Sequence, residues 1–493
     1  MEKVRGIFMK KSIVAILAAI VSVISIALVT PQQTSVNATE KKVYQIGTDV
    51  TFPPFEFSNS TNGQYVGIDI DLMKAIAEEE GFEVKILPLG FSAAVQALDT
   101  GQVDGMIAGT TITNERKNKM DFSTPYYHSG IIFASAKGSD VKSIEDVKGK
   151  RVAVKTGTSG AKYATENADK YGYQIVNFDD SNSMYQDVIT GNSAGVFEDM
   201  SVVSYAINQG TALQIASDTL SNDPYGFSVK KGQNQDLLNA FNQGLEKLKQ
   251  NGTYDKIIAR YVGEEAMNNQ RQQKSDESSW SGLLKVNGSS LMEGLKQTLI
   301  LTVMAIFFAT IFGVIFGLMG VVPSKILNGI STTVIYIFRG LPLLVLALFI
   351  YTGIPSLTGV RIPAVVAGII TLMFNEGAYT AAFIAGGIKS VDNGQMEAAR
   401  SLGLPFSKAM RRVVLPQGIK LIIPSFINQF IITLKDTSIL SIIGLVELTQ
   451  TGKIIIARNL EGFKVWAIIA LIYLVIITLL TWASQYVERR LSK

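Results

Sequence analysis

Five stretches of the last 214 residues carry almost no charge, and that feature constrains the chain most. Thr298 to Gly320 and Val465 to Val487 are uncharged over 23 residues each, and Gly340 to Val360 over 21. Ile362 to Ile388 contains a single acid, Glu376, and Leu421 to Val446 is broken only by Lys435-Asp436. A membrane-spanning helix needs about 20 apolar residues. The pattern therefore predicts five spans, the second starting near Asn328 with Arg339 close to its cytoplasmic end. The low charged fraction of 17%, against about 25% for ordinary soluble domains, follows from these runs and excludes a disordered chain or a simple soluble enzyme.

The net charge of +4 is an average over unlike regions. Residues 39–279 hold 23 Lys and Arg against 32 Asp and Glu, whereas residues 280–493 hold 18 against 8. The acidic region has no basic stripe, so no nucleic-acid partner is expected. With zero cysteines and one histidine, His128, thiol chemistry and Cys-based zinc sites are excluded, and no G-x-S-x-G turn accompanies the histidine. No metal and no cofactor are expected, and His128 reads as a structural or exposed residue.

Residues 1–38 read as a signal peptide or N-terminal anchor. Lys3, Arg5, Lys10 and Lys11 precede an apolar core from Ile13 to Val29, and Val36-Asn37-Ala38 supplies small residues for cleavage. The acidic region is then extracytoplasmic. Loop charge agrees: Lys389, Arg400, Lys408, Arg411, Arg412 and Lys420, and the tail residues Arg489, Arg490 and Lys493, fall on the cytoplasmic side.

Residues 39–267 alternate β-branched strands with helical periods. Tyr44–Thr48, Val84–Leu87 and Asp104–Ala108 read as strands, Ile68–Glu79 and Ala93–Leu98 as helices, and the pattern restarts at Arg151–Val154. Such alternation predicts α/β lobes built on parallel-type sheets, two of them, with ligands at the carboxyl ends of the strands. Gly130–Ala134 and Tyr225–Val229 read as the hinge strands. At the strand ends lie Asp49, Phe52, Phe91, Gly109, Thr111, Arg116, Lys155, Ser159 and, after Glu198, Asp199. An arginine for a carboxylate, an acid for an ammonium and aromatic faces for an apolar stem are what a free amino acid requires. Residues 268–280 are polar and read as a tether that keeps this domain near its target.

Several stretches carry a resemblance to a known family: Gly47-Thr48-Asp49, Pro54-Phe55-Glu56-Phe57, Gly67-Ile68-Asp69-Ile70-Asp71-Leu72, Ala108-Gly109-Thr110-Thr111-Ile112-Thr113, Glu115-Arg116 and Asp121-Phe122-Ser123-Thr124-Pro125. Residues 43–263 resemble the polar amino acid binding proteins of ABC importers, the glutamine-binding kind above all. The resemblance implies that Arg116 binds the α-carboxylate with help from Gly109, Thr111 and Ser159. It further implies that Asp199 binds the α-ammonium, that Phe52 and Phe91 stack on the side chain, and that Asp49 and Lys155 read its polar end. Glu198 and Ser159 stand where glutamine-binding relatives often carry His and Gly. Glutamate, asparagine, arginine and histidine therefore stay open as substrates beside glutamine.

Within 281–493, Glu397-Ala398-Ala399-Arg400-Ser401-Leu402-Gly403-Leu404-Pro405 resembles the cytoplasmic loop by which ABC importer permeases meet their ATPase. The resemblance implies an all-α permease of five helices, with Glu397, Ala398, Ala399 and Gly403 in the coupling contact. Ala382 and Ala385 depart from the charged residues that many relatives have there. Glu376 and Lys435-Asp436 are intramembrane functional candidates by their cost, with interhelical pairing an equal explanation. The chain contains no G-x-x-x-x-G-K-[ST], so a separate ATPase subunit is expected, with a permease homodimer or a second permease. An amino-acid-gated channel is a remote alternative, since no Thr-Val-Gly-Tyr-Gly filter run occurs. An enzyme on the bilobed fold would leave the coupling loop without a purpose.

Overall fold

The computed structural model describes residues 41–59, 63–262, 277, 279–459 and 461–491. The expected signal segment and most of the expected tether lie outside these.

The first region is two lobes, each built around a five-stranded sheet. In lobe 1 the order is β5 (Glu83–Pro88), β1 (Val43–Thr48), β6 (Gly105–Met106), β15 (Ser228–Lys230), β7 (Met120–Phe122). In lobe 2 it is β11 (Gln174–Phe178), β10 (Arg151–Lys155), β12 (Gly195–Asp199), β9 (Ile131–Ala136), β13 (Leu213–Ile215). The expected parallel core is present in each, but both sheets are mixed: β15 runs antiparallel to its neighbours β6 and β7 in lobe 1, and β9 runs antiparallel to β12 and β13 in lobe 2. The reason is the double crossover, which returns the chain to each sheet from the opposite end. The strands that link the lobes also differ from the expected pair. The crossing is a two-stranded antiparallel ribbon of β8 (Tyr127–Ser129) and β14 (Asp223–Tyr225), whereas β9 and β15 already belong to the lobes. His128 lies exposed on that ribbon.

The two lobes share a packing device. Gly105 on β6 lies under the ring of Phe227, and Gly195 on β12 lies under the ring of Phe133. A Cβ at Gly195 would stand 2.3 Å from Phe133 Cζ and 2.6 Å from the Ala134 carbonyl oxygen.

The second region is helical. Trp280–Met319, Ala364–Lys389, Phe406–Ile443 and Gly462–Tyr486 are long and apolar enough to cross a membrane. The expected second span is instead a helix pair, Lys325–Gly340 and Leu343–Thr358, bent by 100°. Leu341 is extended, with φ −83° and ψ 130°, because the residue before a proline is disfavoured from the helical region and Pro342 follows it. The first span begins well before the apolar run, at Trp280. It packs most extensively on Ala364–Lys389, where Gly313 admits Thr380 and Gly317 admits Ile384. Small residues that let backbones approach are the usual seam between membrane helices.

Gly195→Ala is expected to lower the stability of lobe 2 by about 1–3 kcal/mol, the range for overpacking a closed site, because neither the Phe133 ring nor the Ala134 carbonyl has room to retreat. Urea unfolding of the detergent-solubilised chain, followed by circular dichroism, measures it.

Candidate functional site

The cleft is assembled from strand ends, as the topology requires. Asp49 follows β1 and is buried, and Thr51 fixes it: its backbone N–H and its hydroxyl donate to Asp49 Oδ1 at 3.1 and 2.6 Å. Phe52 continues from that turn in the short strand Thr51–Phe52 (β2). Phe91 opens the helix Phe91–Asp99. Gly109, at φ 53°, leaves no room for a Cβ, which would lie 2.7 Å from Phe52 Cε1. Its N–H donates to Asp69 Oδ2 at 2.8 Å. Arg116 begins a single 3-10 turn and donates to the Thr111 carbonyl at 2.8 Å.

Lobe 2 supplies the opposing wall. Lys155 ends β10 and Ser159 opens the helix Ser159–Tyr171, whose N-cap Thr158 accepts from Ala161 N–H at 3.2 Å. Asp199 ends β12 at the start of the helix Met200–Asn208, yet its side chain makes no capping bond. It is kept for another purpose than the helix end.

Phe52, Phe91, Gly109, Thr111, Arg116, Lys155, Ser159 and Asp199 line one small cavity, joined by Ala108 and Thr158. Asp49 stands behind it. The lobes are drawn together there by protein contacts alone. Lys155 Nζ donates to Asp49 Oδ2 at 2.5 Å with both side chains buried, and it sits 4.7 Å over the Phe52 ring. Arg116 reaches across to the Gly157 carbonyl at 3.0 Å and lies 5.3 Å over the Phe91 ring. About 10 Å³ is left between them, at most the room of one water. An amino acid enters only when the lobes part and these side chains swing aside.

The electrostatics are those of a site built for a zwitterion. Burial opposes the charge of Asp49, but the Lys155 ammonium and the Thr51 donors outweigh it and hold the carboxyl below its ordinary value. Asp199 is the opposite case: burial first, then the neighbouring Glu198 carboxyl, push it up to about 8. Asp199 Oδ1 and Ser159 Oγ, both on residues that line the cavity, are buried without a hydrogen-bond partner among the described residues. Orphaned buried polar atoms are rare and costly, and these two are atoms that a ligand ammonium and carboxylate would satisfy.

Sequence reasoning did not single out the layer behind the cleft. Asp69 is fully buried, accepts from Gly109 N–H and from Tyr126 OH at 2.8 Å, and so positions the Gly109 turn. Burial, first among the causes, raises it to about 6. An acid on the apolar face of the Ile68–Glu80 helix was the available signal.

In the membrane region, Glu376 is bonded to Gln429 across two helices. Both line a cavity of about 540 Å³ with Arg339, Asn375, Tyr379 and Asp436. Lys435 is exposed, whereas its neighbour Asp436 lines that cavity. The segment expected to couple to an ATPase forms the helix Asn393–Ser401, with Asp392 accepting from Gly394 N–H at 2.7 Å at its start. Glu397, Ala398 and Arg400 are exposed, Ala399 is buried, Leu402 is 84% exposed, and Gly403 turns the chain at φ 82°.

Residues 44–264 match the bacterial extracellular solute-binding proteins, family 3, and residues 309–493 match the binding-protein-dependent transport system inner membrane component. The glutamine transport system permease protein GlnP of Escherichia coli (strain K12) is 35% identical over 203 residues, 41% of this chain and 93% of that protein. The L-cystine-binding protein TcyJ of the same strain is 29% identical over 227 residues, 45% of this chain and 84% of that protein. Among solved structures, substrate binding domain 2 of Lactococcus lactis GlnP in its open conformation shares 40% identity, with 46% of this chain and 98% of that chain covered and a TM-score of 0.36. The chain belongs to the binding-protein-dependent transport permeases and carries a family 3 solute-binding domain in the same polypeptide. It is a fused binding protein and membrane permease of an amino acid ABC importer.

Two outcomes are expected at the cleft. Arg116→Ala abolishes amino acid binding in calorimetry, since it removes the only guanidinium in the cavity lining. With Asp199 raised to about 8, a ligand ammonium stabilises its ionised form and lowers that value, so binding at pH 7 releases a proton. Affinity therefore weakens as pH falls below 8, by up to about tenfold per unit. Calorimetry in buffers of different ionisation enthalpy reads the proton, and Asp199→Asn removes it.

Proposed function

We propose that this protein captures glutamine outside the cell and passes it through its own permease, driven by an ATPase on a separate chain. The observation that carries this reading is the convergence of Arg116, Asp199 and the Asp49–Lys155 pair on one cavity between two aromatic rings. Arg116 grips the α-carboxylate in a two-pronged bond, with Thr111, Gly109 and Ser159 alongside. Asp199 takes the α-ammonium. Phe52 and Phe91 enclose the aliphatic stem. Asp49 accepts from and Lys155 donates to the terminal amide, which is why an amide suits this pair better than a carboxylate or a guanidinium. The 35% identity of the permease half to a glutamine permease supports the same substrate.

The organisation follows: a signal segment or anchor over 1–38, the binding domain over 39–267 on the extracytoplasmic side, a tether over 268–280, and the permease over 281–493. Four spans and the bent pair supply half of a translocation path, so the permease works as a homodimer or beside a second permease. The exposed end of the Asn393–Ser401 helix, with Glu397, Ala398, Ala399 and Gly403, enters the ATPase groove. The reading has no catalytic step on this chain.

Titration of the purified chain against all twenty amino acids tests the substrate. Glutamine is expected to bind most tightly, and no binding by any of them would remove the reading. Leu402→Asp is expected to leave glutamine affinity unchanged while reducing glutamine-stimulated ATP hydrolysis by the reconstituted complex, because it places a charge in an apolar docking knob.

A further inference from the structure

Behind the Gly109 turn, two carboxyl groups are buried against each other. Glu56 begins β3 (Glu56–Ser58), which lies between β2 and β4 (Tyr65–Val66) in a three-stranded sheet, with Glu56 opposite Phe52. The helix Ile68–Glu80 starts directly against this strand: Ile68 N–H donates to the Pro54 carbonyl at 3.0 Å and Asp69 N–H to the Phe55 carbonyl at 2.9 Å. Gly67 permits that approach, since at φ 128° a Cβ would stand 2.1 Å from the Phe55 carbonyl oxygen. Glu56 and Asp69 are thereby brought together, both fully buried.

Hydrogen bonding at this place lacks a donor. Asp69 Oδ2 is satisfied twice, by Gly109 N–H and by Tyr126 OH, both at 2.8 Å. Asp69 Oδ1 and both carboxyl oxygens of Glu56 find no donor among the described residues. An ionised carboxylate only accepts, and a buried charge left without donors is too costly to persist. The two carboxyls lie within hydrogen-bonding reach of each other, and a proton between them supplies the missing donor. Asp69 has two other donors that favour its charge, whereas Glu56 has none. Burial first, then the Asp69 and Asp49 carboxyls, push Glu56 well above the ordinary carboxyl range, and the Lys155 ammonium pulls the other way. That ammonium belongs to lobe 2 and withdraws when the lobes part, so opening tightens the hold on the proton.

We propose that Glu56 is a neutral acid and a positioning residue of the amino acid cleft: its O–H donates to Asp69 Oδ1 and so locks the Asp69 carboxylate onto Gly109 N–H. The relay ends on the cavity wall, because Ala108, Gly109 and Thr111 line the cavity and Arg116 donates to the Thr111 carbonyl at 2.8 Å. The proton also keeps Glu56 from competing with Asp49 for Lys155, the cation that closes the cleft. The effect on ligand rests on the binding reading above, and the proton itself does not.

The direction with pH follows. An acid raised on folding contributes stability that is complete below its ordinary value of 4.5 and is lost as pH rises toward its folded value. Glu56→Gln keeps a donor in its amide and cannot ionise, while Asp49, Asp69, Tyr126 and Lys155, the other titratable groups around the pair, are present in both chains. In urea unfolding of the detergent-solubilised full chain without ligand, the folding equilibrium of Glu56→Gln is expected to gain on the wild type by up to about tenfold per pH unit between pH 5 and 7. A difference that does not change with pH means that Glu56 enters the fold as an ion, and overturns the proposal. Glu56→Leu, which has no donor, is expected to speed amide hydrogen exchange at Gly109 severalfold and to weaken glutamine binding in calorimetry about tenfold, the loss of one donor to a buried charge. Glu56→Gln is expected to restore both. Equal weakening by Leu and Gln overturns the positioning role. If the wild type binds no glutamine, the substrate reading falls, and unfolding and exchange without ligand still decide the proton.

Discussion

The buried ion pair between Asp49 and Lys155 sets the distance between the lobes, and the rest of the molecule is arranged around that distance. Each charge loses several kcal/mol of hydration on burial. That loss is recovered only because Thr51 adds two donors to Asp49 and the Phe52 ring lies under the ammonium. Removing one partner leaves a buried charge uncompensated, typically at about 3–5 kcal/mol. The pair is therefore a poor source of stability and a good source of register. It brings Arg116 to Gly157 and shrinks the cavity.

Much of this was readable from residues. Strand ends carried the cleft, because a parallel core puts the loops that bind ligands at its carboxyl edge, and all nine expected cleft residues lie in or directly behind one cavity. Periodicity found the helices Ile68–Glu80 and Phe91–Asp99 to within two residues at either end. Charge depletion located the membrane helices. What escaped was of a different physical kind. The bend at Leu341-Pro342 lies just after Arg339, at the edge of an uncharged run, and apolar content counts residues without fixing the backbone angle between them. The antiparallel strands depend on where a chain re-enters a sheet, which no local pattern encodes. Asp69 sits behind the cleft and is seen only once the Gly109 turn is placed over it.

The surfaces between the two halves escaped for a related reason. Gln102 donates to the Tyr351 and Ile362 carbonyls and accepts from Ile362 N–H, while Arg361 pairs with Asp104 at 2.6 Å. A glutamine and an aspartate after a helix read as ordinary loop polarity. Their meaning comes from backbone groups about 250 residues away, which is a tertiary fact with no sequence period. The division of labour is nonetheless plain: lobe 1 is bonded to the permease by side chains reading its backbone, and lobe 2 meets it through a few close approaches. An unequal grip of this sort lets one lobe serve as the fixed base for the other's motion.

The first helix of the permease has a consequence of its own. Trp280–Met319 is 40 residues, which at 1.5 Å per residue is about 60 Å, twice the roughly 30 Å hydrocarbon thickness of a bilayer. Its first turns hold Lys285, Asn287, Glu293 and Lys296, charged and polar groups that a hydrocarbon interior disfavours. The same rod that crosses the membrane therefore acts as a pillar of fixed height, and Asn287 on that pillar accepts from Arg458, whose guanidinium also donates to the Ser58 carbonyl of lobe 1. The binding domain is carried at an elevation measured in helical turns, so the length of one uninterrupted helix, rather than the tether before it, decides how far above the bilayer the cargo is handed over.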